Sequence, residues 1–280
     1  MATLIQSLRQ ALDSKDLFLS NETQRIVLKS VLQAYVLNFL YNHRLYRHLN
    51  FYGGTCLYIL YDLNRLSEDI DLDNSGEVDI SNLGADLKAH FQKHMGYSKV
   101  TIAEQISAAG IYRVTLKFPV LYELGISPHH DEKLHLKVEI SQHHQVSELK
   151  QTPVIYFGRS FVPSHFSLET MMAGKMLAGL ERSFQKGTTV TTIKGRDFYD
   201  LLWLMQQRIW PLEEKLEQDG QVSYTTQTAM QALVEKVTAI TTKDLEIDLL
   251  PLFEQRSFIE AWIESFHDNF QEYAKFYLDE

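Results

Sequence analysis

The chain reads as an α+β protein, a mixed β-sheet with flanking helices followed by a helical domain. Short segments that alternate apolar and polar residues lie between about residues 50 and 140, and after Pro163 long helical repeats of apolar residues take over. The composition supports a folded chain with a sizeable core: 45% of 280 residues are hydrophobic and 22% charged, with only 6 Pro and 13 Gly.

Taken in order, apolar residues from Leu4 to about His48 recur at helical spacing, as in Leu28, Val31, Leu32, Tyr35 and Phe39, with Ser20 or Asn21 placed to cap a helix. A short apolar piece, Leu49 to Tyr52, stops at Gly53-Gly54; a helix-like CLYILYDL follows, and then the alternating strand Asp69 to Asp73. Asp79 to His94 reads as a helix, and Val100 to Glu104, Ile111 to Val120 and Leu134 to Ile140 as strands. Beyond these come helical patterns at Ser167 to Phe184, Gly195 to Gln207, Gln227 to Thr238 and Phe258 to Tyr277. The expected organisation is a core over 1–163 and a helical domain over 164–280 that packs on it and completes a shared cleft.

With 27 Lys+Arg against 36 Asp+Glu the net charge is −9 and the pI near 5.7, which disfavours non-specific adhesion to nucleic acid or anionic membrane. The balance is uneven. Residues 1–165 carry 16 basic and 17 acidic side chains, whereas 5 basic and 15 acidic ones follow from Pro211 onward, so a polyanion should dock away from the tail. The single cysteine, Cys56, suits a small buried residue and a reducing compartment. The N-terminus lacks a signal-peptide core, and the longest apolar stretch, around Val31 to Tyr41, is broken by Gln33 and Asn38 and too short to span a membrane. A cytoplasmic protein without a membrane partner is expected.

In Asp69-Ile70-Asp71-Leu72-Asp73 the two-residue period of a strand puts Ile70 and Leu72 on one face and the three aspartates on the other. Such an oxygen-rich group suits Mg²⁺, although a solvated edge strand has the same pattern. Leu134 to Ile140 alternates likewise, with His135, Lys137 and Glu139 on the polar face. Were the two strands adjacent, Glu139 would face Asp71 across about 5 Å, and two metal ions could serve a phosphoryl displacement. Gly53-Gly54-Thr55, between a strand and a helix, lets backbone approach a phosphate, or forms an ordinary turn with a threonine cap.

The string GGTCLYILYDLNRLSEDIDLD, Gly53 to Asp73, resembles the nucleotide-binding signature of the DNA polymerase β superfamily of nucleotidyltransferases, and within it the AbiEii/AbiGii toxin family, which includes MenT-type toxins. The resemblance implies a nucleotidyltransferase-fold core and a helical domain. It matches Gly53, Gly54 and Thr55 to the glycine motif, Arg65 and Ser67 to the R-x-S before the acids, Asp69 and Asp71 to the metal-binding pair, and Glu139 to a strand acid that in the family is often Asp. Lys175, Arg182 and Arg196-Asp197-Phe198-Tyr199-Asp200-Leu201 resemble the family's K…R…RDxYDL segment. The motifs span about residues 50 to 205.

On a helix from Ser167, Lys175 and Arg182 share a face, and Lys175 sits among Ala173, Gly174, Met176 and Leu177, company in which its charge needs an anionic partner. A triphosphate is one such partner; a lysine snorkelling from an amphipathic helix is the alternative. Asp197 matches a functional acid of the family, and Asp200 suits a brace for Arg182 or Arg196. The paired histidines His129-His130 and His143-His144 lack the partners and spacing of a zinc site.

The resemblance implies an Mg²⁺-dependent transfer of a nucleoside monophosphate from an NTP to an acceptor hydroxyl, with two ions involved. Asp69, Asp71 and Glu139 would hold the metal. Thr55, Arg65, Ser67, Lys175, Arg182 and Arg196 would bind the nucleotide. It further implies an RNA acceptor, tRNA above all, and a cognate antitoxin, for which the acidic helices after Pro211 offer a surface to a basic partner. Arg44, Arg47, Arg113, Lys117, Lys186, Lys194 and Arg196 are the basic residues available to RNA. Two other functions stay open, a small-molecule nucleotidyltransferase of the antibiotic-modifying kind and a catalytically silent binding partner.

Overall fold

The computed structural model describes residues 3–15, 19–108, 110–182, 184–186, 189–191 and 194–279. The chain divides into two compact units, one of Met1–His144 with Lys150–His165 and one of Gln145–Leu149 with Phe166–Glu280.

The first unit opens with α1 (Leu4–Asp13), closed at its start by a Thr3–Gln6 capping box, and α2 (Asn21–Asn42), whose N-cap Ser20 accepts from the Thr23 amide. Apolar side chains surround α2 almost completely because it is sunk in the core, where Leu28, Leu32, Val36 and Leu40 are buried. The strands β1 (Asn50–Tyr52), β2 (Ile70–Asp73), β3 (Thr101–Ile106), β4 (Tyr112–Phe118), β5 (Leu134–Ser141), β6 (Leu149–Gln151) and β9 (Ser164–Phe166) form a mixed sheet in the order β3-β4-β5-β2-β1-β9-β6. The pairs β1–β2, β3–β4 and β4–β5 are antiparallel, while β2–β5 and β1–β9 are parallel. A separate hairpin joins β7 (Val154–Tyr156) to β8 (Arg159–Phe161).

One face of the sheet makes the core. Val114, Leu116 and Phe118 of β4 stand opposite Val138, Leu136 and Leu134 of β5, Ile70 opposite Val138 and Leu72 opposite Ile140, all buried. The alternate residues of β5, His135, Lys137 and Glu139, lie on the other, more accessible face. Between β1 and β2 runs α3 (Gly53–Tyr61), which buries Cys56.

The helix expected over Asp79 to His94 is shorter. Asp79 closes a turn on the Ser81 amide at 3.0 Å, so α4 begins only at Leu83 and ends at Ala89, followed by a π-helical turn at His90–His94.

The second unit contains α5 (Leu168–Glu181), the strand pair β10 (Phe184–Lys186) and β11 (Thr189–Thr191), α6 (Gly195–Gln206), α7 (Glu213–Gln218), α8 (Thr226–Val237), α9 (Thr242–Leu249) and α10 (Arg256–Leu278). The expected helix to Phe184 stops three residues earlier, where Arg182 turns extended at φ −66°, ψ 129° and caps α5. Two helices were not anticipated, α7 and α9. With 6 and 8 residues they are too short for a periodic signal, although Thr241 and Asp244 close a capping box on α9. Gly179 and Gly195 mark close packing: a side chain there would meet Leu233 of α8 at 2.9 Å and the Leu245 backbone of α9 at 3.2 Å. Among the described residues no helix is long and apolar enough to cross a membrane.

Candidate active site

In the first unit the glycine turn is built onto the acidic strand. Gly53 has φ +80°, a conformation that side chains disfavour, and any side chain there would collide with the Asp71 carboxylate. A methyl on Gly54 would come within 2.5 Å of Arg65 Nη2 and 3.1 Å of Ser67 Oγ. Both glycines therefore make room for residues of the motif itself. Thr55 is buried and its hydroxyl donates to the carbonyl of Asp69. Arg65, only 4% exposed, donates from Nη1 to the Leu66 carbonyl at 3.0 Å, and the Gln33 amide donates to the Ser67 carbonyl at 2.9 Å. In this arrangement Thr55 and Arg65 brace the turn and the strand. The hydroxyl and guanidinium meet the motif's own backbone at Asp69 and Leu66.

The carboxylates then fall into register. Asp71 is paired with Glu139 across β2 and β5, and Arg113 stands opposite Glu139 on β4 and donates from Nε to Oε1 at 2.7 Å. Burial pushes the Asp69 carboxyl above its ordinary pKa, against the pull of Lys137, 3.8 Å away, and of Lys29. The third aspartate departs from the expected group. Asp73 is fully buried and accepts from the Ser75 hydroxyl at 2.7 Å and from Asn50 Nδ2 at 3.2 Å, so it ties β1 to β2 instead of facing solvent with its neighbours.

Whether Mg²⁺ suits these residues is a matter of donor chemistry. Asp69, Asp71 and Glu139 offer only oxygen, the donor type a hard dication takes, and the Asp71–Glu139 register holds two like charges side by side, which a cation would relieve. The chemistry fits, but among the described residues no group of three His, Cys, Asp or Glu is gathered closely enough to hold a metal ion. Arg113 supplies the neutralising charge on Glu139.

In the second unit Lys175 of α5 reaches two carboxylates of α6, Asp197 Oδ1 at 2.9 Å and Asp200 Oδ2 at 2.6 Å, and Arg182 Nη1 takes the other Asp197 oxygen at 2.6 Å. The anion that Lys175 requires is thus provided by the protein, with Asp200 bracing it beside Asp197. Burial would raise the Asp197 pKa, but Lys175 and Arg182 outweigh it and hold the carboxyl well below the usual carboxylate range. Lys194 and Arg196 complete a cationic group at the start of α6, and burial together with Arg196 and Arg182 pushes the Lys194 pKa down.

Two partners were missed from sequence, Arg113 for Glu139 and Asp200 for Lys175. The first is found only through strand register; the second had a signal in the three-residue spacing of Asp197 and Asp200, which puts both on one helix face. Of the basic residues considered for RNA, Arg113 and Lys117 lie on the accessible sheet face, Arg44 and Arg47 are exposed after α2, and the side chain of Lys186 is outside the described residues.

Residues 38–280 match the family model described as Nucleotidyl transferase AbiEii toxin, Type IV TA system. No curated protein matches the chain. Among solved structures, JHP933 from Helicobacter pylori is similar with a TM-score of 0.51 and 19% identity, covering 91% of this chain and 93% of its own, a likeness of fold. A second Helicobacter pylori protein, described as a candidate nucleotidyltransferase, gives a TM-score of 0.49 at 19% identity, with 96% of each chain covered.

Proposed function

Since the chain belongs to the AbiEii nucleotidyl transferase toxin family of type IV toxin–antitoxin systems, and is on that basis a nucleotidyltransferase, we propose that it transfers a nucleoside monophosphate from an NTP to a hydroxyl of tRNA. The observation that supports the chemistry is the register of Asp71 with Glu139 beside a glycine turn moulded around Asp71. In the reaction the acceptor oxygen bonds to the α-phosphorus, the bond from that phosphorus to the pyrophosphate oxygen breaks, and the hydroxyl proton passes to solvent.

Asp69, Asp71 and Glu139 would hold Mg²⁺, as one ion or two, which when bound neutralises phosphate charge and acidifies the acceptor hydroxyl. The protein's own residues do the positioning. Thr55 fixes the backbone at Asp69 through its hydroxyl, and Gly53 and Gly54 keep the turn close against Asp71 and Arg65. Arg65 and Ser67 lend the turn positive and polar character from beneath, and Arg113 holds the Glu139 carboxylate. In the second unit Asp197 and Asp200 fix the Lys175 ammonium, and Lys175, Arg182 and Arg196 would supply the cationic charge suited to the phosphates of an NTP. The family's type IV systems imply a cognate antitoxin as a partner.

The test is incubation of the protein and of Asp71→Asn with Mg²⁺, each α-labelled NTP in turn and total bacterial tRNA, with label in RNA resolved on a denaturing gel. Label from the native protein alone supports the reading. Release of pyrophosphate without labelled RNA moves the acceptor to a small molecule, and equal labelling by Asp71→Asn removes the carboxylates from the chemistry.

A further inference from the structure

The accessible face of the sheet carries a graded charge. Along β5 the side chains run from Glu139 through Lys137 to His135, with Lys133 just ahead of the strand. On β4 Arg113 is opposite Glu139, Thr115 opposite Lys137 and Lys117 opposite His135, and β3 continues the rows with the exposed residues Gln105, Ala103 and Thr101. Glu139 with Arg113 thus occupies one end of the face, and Lys117, His135 and Lys133 the other. From Glu139 to His135 is four residues, about 13 Å, and the rows cross two strand spacings of about 5 Å each.

The cations are crowded. The pKa of His135 is pushed down by burial and by Lys117, Lys29, Lys133 and Lys137. Local acids relieve part of the crowd: Lys29 is paired with Glu68 at 2.8 Å and Lys137 with Asp69 at 3.8 Å, while Glu132 is taken by Arg25 at 2.6 Å. Among the described residues neither Lys117 nor Lys133 is paired with a carboxylate. Such a concentration of positive charge in a protein of net charge −9 is a local field that attracts an anion.

We propose that this sheet face, through Lys117, Lys133, Lys137 and His135, is a track for the phosphate backbone of the RNA acceptor, with the strand direction leading a reacting hydroxyl toward Asp69, Asp71 and Glu139. The proposal rests on the RNA-acceptor reading above and adds where and how that RNA docks. The length of the track and its spread over β4 and β5 suit a run of phosphodiesters rather than a single terminal anion. Among the described residues of β3, β4 and β5 no row of aromatic side chains lines this face, which makes the contact one of charge, and so independent of base sequence.

The test compares the native protein with Lys117→Ala/Lys133→Ala and with Lys117→Arg/Lys133→Arg, using unfractionated bacterial tRNA as the probe over a range of salt concentrations. The alanine pair should bind tRNA about tenfold more weakly near 0.1 M salt and lower the slope of log K against log salt by about two, while the arginine pair keeps both. Affinity for NTP alone should stay the same in both. The single Lys117→Ala should lose about one unit of slope and serves if the double variant folds poorly. Unchanged tRNA affinity and slope in a natively folded alanine variant overturn the track, and if the native protein still labels tRNA the acceptor reading survives that result. A native protein that releases pyrophosphate but neither binds nor labels tRNA overturns both.

Discussion

Asp71 and Glu139 are direct neighbours in register on the parallel strands β2 and β5, and Arg113 binds Glu139 from the opposite side at 2.7 Å. Two like charges held side by side weaken a sheet unless a cation intervenes; Arg113 offsets the charge of Glu139, and the charge of Asp71 beside it remains a cost to stability.

Asp71→Asn should therefore abolish nucleotidyl transfer while raising stability, by about 0.5 kcal/mol, the order of a cross-strand charge pair. Thermal melting and transfer assays on the same preparation check this. A variant that is both inactive and clearly less stable would show that Asp71 is mainly structural.

Lys175 touches both Asp197 and Asp200, and Asp200 is fully buried. Lys175→Met should cost about 3 kcal/mol, because it removes the shared cation from two buried carboxylates. Asp200→Asn retains a hydrogen-bond acceptor for Lys175 and should cost less while lowering activity, since Lys175 is less firmly held. Denaturant unfolding ranks the two, and equal losses would argue against Lys175 as the centre of the group.

The buried Asp197 and the half-buried Asp69 should depend on pH with opposite sign. Asp197 is held below the ordinary carboxylate pKa, so its contribution is present above the unfolded value and is lost as pH falls through the folded one; the deficit of Asp197→Asn should shrink in acid. Asp69 is raised, chiefly by burial, so stability is lost as pH rises from the unfolded value to the folded one and stays lost above it; Asp69→Asn should be the more stable protein at neutral pH and lose that advantage in acid. Unfolding free energies between about pH 3 and 8 decide both, and parallel profiles would contradict the assignment.

Gly53→Ala should destabilise by about 1–3 kcal/mol, since it combines a disfavoured φ with a clash against the Asp71 carboxylate. Gly54→Ala, at an ordinary φ, displaces Arg65 and Ser67 instead and should affect NTP binding more than stability. Calorimetry of NTP binding beside thermal melts separates the two effects, and identical behaviour would deny the glycines these distinct roles.

Much of the architecture was legible before any coordinates. The alternation in Leu134 to Ile140 told which face of β5 is buried, and the order of glycine turn, helix and acidic strand placed Gly53, Asp69 and Asp71, because period and turn chemistry are local properties of the chain. The roles within the motif were less legible. Thr55 and Arg65 look like ligands from their types and spacing, and only the structure shows that both also contact the motif itself at Asp69, Leu66 and the glycine turn.

Sequence alone was enough for the α+β character, the identity of the acidic and cationic motifs and the acidic bias of the last 70 residues, all of which depend on neighbours within a few positions. Tertiary packing was needed to set Glu139 beside Asp71, to assign Arg113 to Glu139 and Asp200 to Lys175, to bury Asp73 among Asn50 and Ser75, and to draw Lys117, His135 and Lys137 onto one sheet face. The physical reason is register. Strands β2 and β5 are more than 60 residues apart in the chain, and which of their side chains meet depends on long-range pairing that no local period encodes.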